Sequence, residues 1–158
     1  MISFLEKTID SLKNRKTCGE IMVPFEKLFY RTKKDSVRST LEQMRKISYG
    51  HVPVLDEKKR VFGVFTAVSF LNIMADRKGE PLPLEFNFFD AEKYIAFDHH
   101  DSEVYRFVKT SLFVDELKDI FENTYSGGKR LAMVFVTANG KPEEKLLGII
   151  SPWDVLGK

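Results

Sequence analysis

Gly63-Val-Phe-Thr66-Ala-Val-Ser69-Phe70 and Gly148-Ile-Ile-Ser151-Pro-Trp-Asp154-Val155 carry one pattern at two places in the chain: glycine, a short apolar run, a hydroxyl residue, then the start of a helix. Each closes a longer stretch whose elements follow in matching order, so the chain reads as two copies of one unit. An internal repeat constrains a fold more than any single residue does. It also marks where a ligand would sit.

Working outward from the first copy, Leu28-Phe29-Tyr30 predicts a brief strand. Asp35-Ser36 predicts an N-cap, followed by a helix with Val37, Leu41, Met44 and Ser48 on one face and Gly50 at its end. Val52 to Leu55 and Val61 to Phe65 predict two strands around the polar turn Asp56–Lys59, and Thr66 opens a helix through Phe70, Leu71 and Met74. In the second copy, Val104 to Phe107 is the short strand and Ser111 caps a helix carrying Phe113, Leu117, Ile120 and Phe121. Ser126-Gly127-Gly128 breaks that helix. Leu131 to Val136 and Leu146 to Ile150 are strands joined by a longer turn containing Asn139-Gly140 and Pro142, and Ser151 opens the last helix. The order in both copies is strand, helix, strand, strand, helix.

Two stretches lie outside the repeat. Ile2, Leu5, Ile9 and Leu12 fall at helical spacing among Glu6, Lys7, Asp10 and Lys13, which predicts an amphipathic helix before the first unit. Residues 77–101 hold Pro81 and Pro83, yet Phe86, Phe88, Phe89, Tyr94, Ile95 and Phe97 make them too apolar for a flexible linker, so they should pack on one or both units. The expected division is 1–16 as the N-terminal helix, 17–76 as the first unit, 77–101 as the connecting segment and 102–158 as the second unit.

With 158 residues, 43% of them hydrophobic, the chain can build one sizeable core or two packed halves. The net charge of +2 is spread over mixed acids and bases, which argues against a nucleic-acid surface. No apolar run approaches the roughly 18–20 residues that span a bilayer, and Glu6 and Asp10 interrupt any signal peptide. The single cysteine, Cys18, excludes an intrachain disulfide and fits a reducing compartment, so a cytoplasmic protein is expected.

Both copies resemble the CBS domain, and the whole chain is similar to a stand-alone tandem pair of such domains, a Bateman module. The residues that carry the likeness are Gly19-Glu-Ile-Met-Val-Pro24, His51-Val-Pro-Val-Leu-Asp56 and Gly63-Val-Phe-Thr66 in the first copy, and chiefly Gly148-Ile-Ile-Ser151-Pro-Trp-Asp154 in the second. The resemblance implies an α/β (α+β) fold of two β-α-β-β-α units, packed through their sheets with pseudo-two-fold symmetry. It implies a regulatory, non-enzymatic module that binds an adenosine compound in clefts between the units. The ligand classes implied are AMP, ADP or ATP, S-adenosylmethionine and cyclic dinucleotides, with no required cofactor. A homodimer and a regulated protein partner are expected, with neither membrane nor nucleic acid.

In the family pattern the hydroxyl residue lies near ribose or phosphate, and an Asp three positions later receives the ribose hydroxyls. The second copy keeps both, as Ser151 and Asp154; the first keeps Thr66 but has Ser69 in the Asp position. A carboxylate can accept from two hydroxyls at once, and such charge-assisted bonds are strong. Ile150 and Pro152 flank the pair. The base slot expected beside it comes from Tyr94-Ile95-Ala96-Phe97 and Met133-Val134, with Arg130 as phosphate partner and His51 facing the cleft.

Each assignment has a structural counterpart. Ser-x-x-Asp is also a capping box, with Pro152 at the favoured first helical position, and the two roles can coexist. Thr66 and Ser69 fit capping and packing, His51 fits a hydrogen-bonded structural histidine, and Trp153 fits a packing residue. His99-His100 lacks a supporting Cys or Glu framework for metal. Cys18 has no base at recognisable spacing, and no Gly-rich phosphate loop or triad pattern points to an enzyme. The alternative to a sensor is a ligand-free dimerisation module of the same fold.

Overall fold

The computed structural model describes residues 15–100, 102–126 and 128–156. The expected helix over residues 2–13 lies outside them. The strands are β1 (Val23–Pro24), β2 (Arg31–Thr32), β3 (His51–Leu55), β4 (Val61–Thr66), β5 (Glu103–Lys109), β6 (Tyr125–Ser126), β7 (Lys129–Thr137) and β8 (Gly148–Ile150). The helices are α1 (Cys18–Ile21), α2 (Val37–Ile47), α3 (Ala67–Asp76), α4 (Glu92–Ile95), α5 (Val114–Asn123) and α6 (Pro152–Leu156).

Two sheets result. One runs β2-β3-β4; the other runs β1-β8-β7-β5, with β6 beside the start of β7. In each, a parallel short strand joins an antiparallel hairpin: β2 on β3 and β5 on β7. The registers are matched, since His51 faces Thr66 across β3–β4 while Val134 faces Ile150 across β7–β8. Met133 and Ser151, one step on, therefore stand where His51 and Thr66 stand in the first copy.

The chain exchanges its lead-in segments. β1 belongs to the first copy but pairs with β8 of the second, Val23 opposite Ile149 and Pro24 opposite Gly148. Reciprocally, Ile95, in the lead-in to the second copy, lies directly on Gly63 of the first, where an added Cβ would come within 2.4 Å of the Ile95 carbonyl oxygen. The repeat glycines are thus docking points: only a missing side chain lets a backbone approach so closely.

Apolar side chains fill three regions. Val37, Val52, Val54, Phe65 and Ile73 form the first unit's core, and Leu82, Phe88, Ala91, Tyr94 and Ile95 complete it, so residues 82–95 of the connecting segment pack there as a structural wall. Phe88 meets Phe65 edge-on at 5.3 Å between ring centroids. The second core joins Leu117, Leu131, Val134, Ile150 and Val155 to Cys18 of the lead-in. Between the sheets lie Leu55, Val64, Met133 and Phe135, with Phe97, Tyr105 and Phe107 around Phe135.

Three local expectations are corrected. Leu28-Phe29-Tyr30 is not a strand: Phe25–Lys27 forms a 3-10 turn and pairing begins at Arg31. Leu28 and Tyr30 instead pack between the sheets, Tyr30 on Phe25 at 4.9 Å, so their apolar character serves the core without a ladder. Ser111 does not cap α5, which begins at Val114, where the Glu116 carboxylate accepts from the Phe113 N–H at 3.2 Å. The cause is tertiary: the backbone of Lys16 to Cys18 bonds Leu112 and Val114, which holds that stretch extended. Gly50 does not end α2, because Ser48 takes the left-handed conformation (φ 58°) one residue past Ile47. The expected cap at Ser36 is present, its Oγ accepting from the Ser39 N–H at 3.2 Å.

Candidate functional site

The repeat produces two clefts, and they differ in size and chemistry. Ser151, Asp154, His51 and Met133 line a cavity of about 440 Å³. Thr66, Ser69, His51 and Tyr94 line the counterpart, of about 180 Å³.

In the Ser151 cleft, the turn from β8 into α6 sets the geometry. Asp154 Oδ2 accepts from the Ser151 N–H at 2.8 Å and from its Oγ–H at 3.0 Å. The Asp154 N–H donates to the Ser151 carbonyl at 3.1 Å. This is the capping arrangement, and it engages one carboxylate oxygen; Oδ1 has no hydrogen bond among the described residues. Cap and ligand site are therefore compatible. The pleat decides which neighbours join: Ile149 lines the cavity whereas Ile150, on the opposite face, is fully buried in the second core.

The lead-in exchange decides the remaining walls. Val23, Lys27, Leu28 and Phe29, from the first copy's lead-in, line the cavity together with Ser151 and Asp154, and the exposed Tyr49 and Trp153 complete it. Local sequence does not point to these residues, because the second copy's own lead-in is nearer to Ser151 along the chain. The signal that could have found them is the repeat itself, applied with the lead-ins crossed.

Several expected residues accordingly lie elsewhere. Tyr94 lines the smaller cleft and donates to Asp76 at 2.6 Å. Ile95 is buried against Gly63 in the first core. Ala96 opens the 3-10 turn Phe97–His99 and lines neither cavity, as is true of Pro152. Arg130 is also off both walls; its side chain, 73% exposed, reaches Glu103 at 3.3 Å. The cation that faces the Ser151 cleft is Lys27. Trp153 was expected to pack, and its indole is instead 83% exposed.

Several polar groups of the smaller cleft are paired with one another. Thr66 and Ser69 cap each other: the Ser69 N–H donates to Thr66 Oγ1 at 3.1 Å and the Thr66 N–H to Ser69 Oγ at 3.2 Å. Glu103, on the far wall, accepts from His51 at 2.8 Å, Tyr105 at 3.2 Å and Arg130 at 3.3 Å. Burial pushes the Glu103 carboxyl up, but the His51 bond and the other donors outweigh it and hold the group below its usual range. Burial holds His100 neutral by pushing its pKa down. His51 borders both cavities and ties the units together through Glu103. Far from both, the buried Cys18 thiol is pushed up to about 11, first by burial and then by Glu116, so it stays protonated. Among the described residues, no group of three or more His, Cys, Asp or Glu side chains is arranged to hold a metal. No helix among them is long and apolar enough to cross a membrane.

Residues 20–76 match the family model of the CBS domain. The carnitine transport ATP-binding protein OpuCA of Listeria monocytogenes is 34% identical over 64 residues, 40% of this chain; the chain spans only 16% of that protein's length. Among solved structures, CBSX2 in complex with AMP has a TM-score of 0.60 at 17% identity, over 90% of this chain and 94% of that one. The CBS domain of a bacterial CNNM/CorC-family Mg2+ transporter in complex with ATP has a TM-score of 0.59 at 18% identity, over 98% and 95%. CbpB in complex with c-di-AMP has a TM-score of 0.65 at 10% identity, over 96% and 88%. These likenesses are of fold.

Proposed function

From the premise that this chain is a CBS-domain protein, we propose that it is a regulatory module that senses an adenine nucleotide or another adenosyl compound in the Ser151 cleft. The observation that carries this reading is the cavity of about 440 Å³ lined together by Asp154, Lys27 and the apolar residues Val23, Leu28, Met133 and Ile149. Asp154 Oδ1 accepts from the ribose hydroxyls while Oδ2 keeps its hold on Ser151. Lys27 takes the phosphate role that the sequence assigned to Arg130, and the apolar wall takes the base. The fold neighbours with AMP, ATP and c-di-AMP support this ligand class.

The alternative, a ligand-free structural module, is favoured for the smaller cleft alone. There Ser69 completes the Thr66 cap and no carboxylate stands in the Asp154 position. We read the chain as having one nucleotide cleft. Its output passes to a second copy or to a regulated protein. α3 turns Val68 and Leu71, 57% and 64% exposed, to solvent, which supports the homodimer expectation. A cytoplasmic setting fits the free thiol of Cys18.

Thermal shift against AMP, ATP, S-adenosylmethionine and cyclic dinucleotides tests the reading. A ligand at about a hundred times its Kd stabilises by about 2.7 kcal/mol, a rise of roughly 5–11 °C for a chain of this size. Asp154→Asn keeps the cap acceptor and should abolish most of that rise. A panel that leaves the transition unmoved refutes the sensing function, and a strict monomer in light scattering at micromolar concentration refutes the homodimer.

A further inference from the structure

Trp153 is the only tryptophan in the chain, and nothing in the fold requires it to be large. α6 packs through Val155, which is 3% exposed, whereas the Trp153 indole is 83% exposed and still forms part of the wall of the Ser151 cleft. Its backbone is held: Pro152 fixes the first helical φ, and Asp154 clasps Ser151 on the other side. A side chain of only two torsions on so fixed a base loses little conformational freedom when a ring settles on it.

The surroundings suit a flat ring. Tyr49, 49% exposed, and Phe29 border the same cavity, their ring centroids 6.1 Å apart, and the Arg31 guanidinium lies 4.5 Å over Phe29. Deeper in, the wall is apolar. The smaller cleft has Val68 at the position equivalent to Trp153, so no aromatic ring stands at that place in it.

We propose that Trp153 is a binding residue of the Ser151 cleft, its indole covering one face of the nucleobase while the other rests on the apolar wall. The inference rests on the nucleotide reading above and extends it. Stacking on an indole adds affinity for any base, because every base has a π-face. Trp153 thus sets how tightly the cleft holds its ligand, and the polar wall sets which ligand it holds.

A lone tryptophan makes its emission a report on this position only. Wild-type protein is titrated with AMP by calorimetry and by intrinsic fluorescence, and Trp153→Ala and Trp153→Phe are titrated by calorimetry. The expected result is quenching that tracks the calorimetric isotherm, a loss of roughly 10- to 100-fold in affinity for Trp153→Ala, as base–aromatic stacking predicts, and recovery of most of it in Trp153→Phe. Circular dichroism and the melting transition of the ligand-free variants should match wild type. Heat of binding with unchanged emission and equal affinity in Trp153→Ala overturns the role of Trp153 and leaves the nucleotide reading standing. Absence of heat and of thermal shift with AMP overturns both. Emission that shifts with protein concentration and ignores AMP assigns the indole to contact between copies, and it overturns the proposal too.

Discussion

Gly63→Ala tests the lead-in exchange at its tightest point. A Cβ at Gly63 would stand 2.4 Å from the Ile95 carbonyl oxygen and 2.9 Å from its carbonyl carbon, against a floor of 3.0 Å for real Cβ contacts. The obstacle is backbone, and Ile95 is fully buried, so no rotamer change relieves it. Overpacking of this kind costs about 1–3 kcal/mol, which lowers the melting temperature by roughly 2–12 °C in a chain of this length. Gly148→Ala meets the Val23 carbonyl at 2.7 Å and Met22 Sδ at 2.5 Å. The thioether can swing aside but the carbonyl cannot, so the loss has the same sign and a smaller size. Gly50→Ala is the control: its Cβ meets nothing within 4 Å and its φ is not positive. It should gain about 0.4–1 kcal/mol through a less flexible unfolded chain. Urea unfolding followed by circular dichroism and by Trp153 emission gives the three differences. A Gly63→Ala protein as stable as wild type, or a Gly50→Ala protein as damaged as Gly63→Ala, refutes the docking role of the repeat glycines.

Acid should weaken the fold in two steps. Burial depresses the His100 pKa, so its contribution is complete above the unfolded value of 6.5 and is lost as pH falls below it; His100→Gln should flatten that part of a melting series. Glu103, held low by its three donors, contributes above its unfolded value of 4.5 and loses this as pH falls through its folded pKa, a second decline that Glu103→Gln should remove. Glu103→Ala leaves His51 and Tyr105 without their acceptor and should cost about 1–3 kcal/mol in denaturant unfolding at neutral pH. Thr66→Ala removes the α3 cap and should cost about 1 kcal/mol in the same assay while leaving AMP affinity in calorimetry unchanged.

The repeat made the β-α-β-β-α order of both units readable from residue patterns, because alternation, glycine and hydroxyl caps act within a few positions of each other. Ser36 and Thr66 cap the helices they were expected to cap, since a cap needs only its own turn. Ser111 failed as a cap where Lys16 to Cys18 docked on Leu112 and Val114, an event no local window contains. Ser151 and Asp154 are visible as a pair because they are one turn of one helix; Tyr94 to Ala96 stand off their cleft because a cavity wall is whatever the fold brings opposite.

Sequence alone determined two copies, the order of their main helices and hairpins, and the one turn that keeps a carboxylate beside a hydroxyl, because these depend on side-chain spacing along the backbone. Tertiary structure alone decided that the lead-ins cross, that Lys27 and not Arg130 lines the cleft of Asp154, and that Trp153 stands in solvent at the rim of the larger cleft. The crossing rests on close backbone approach at Gly63 and Gly148, a contact between distant segments that only the packed chain makes.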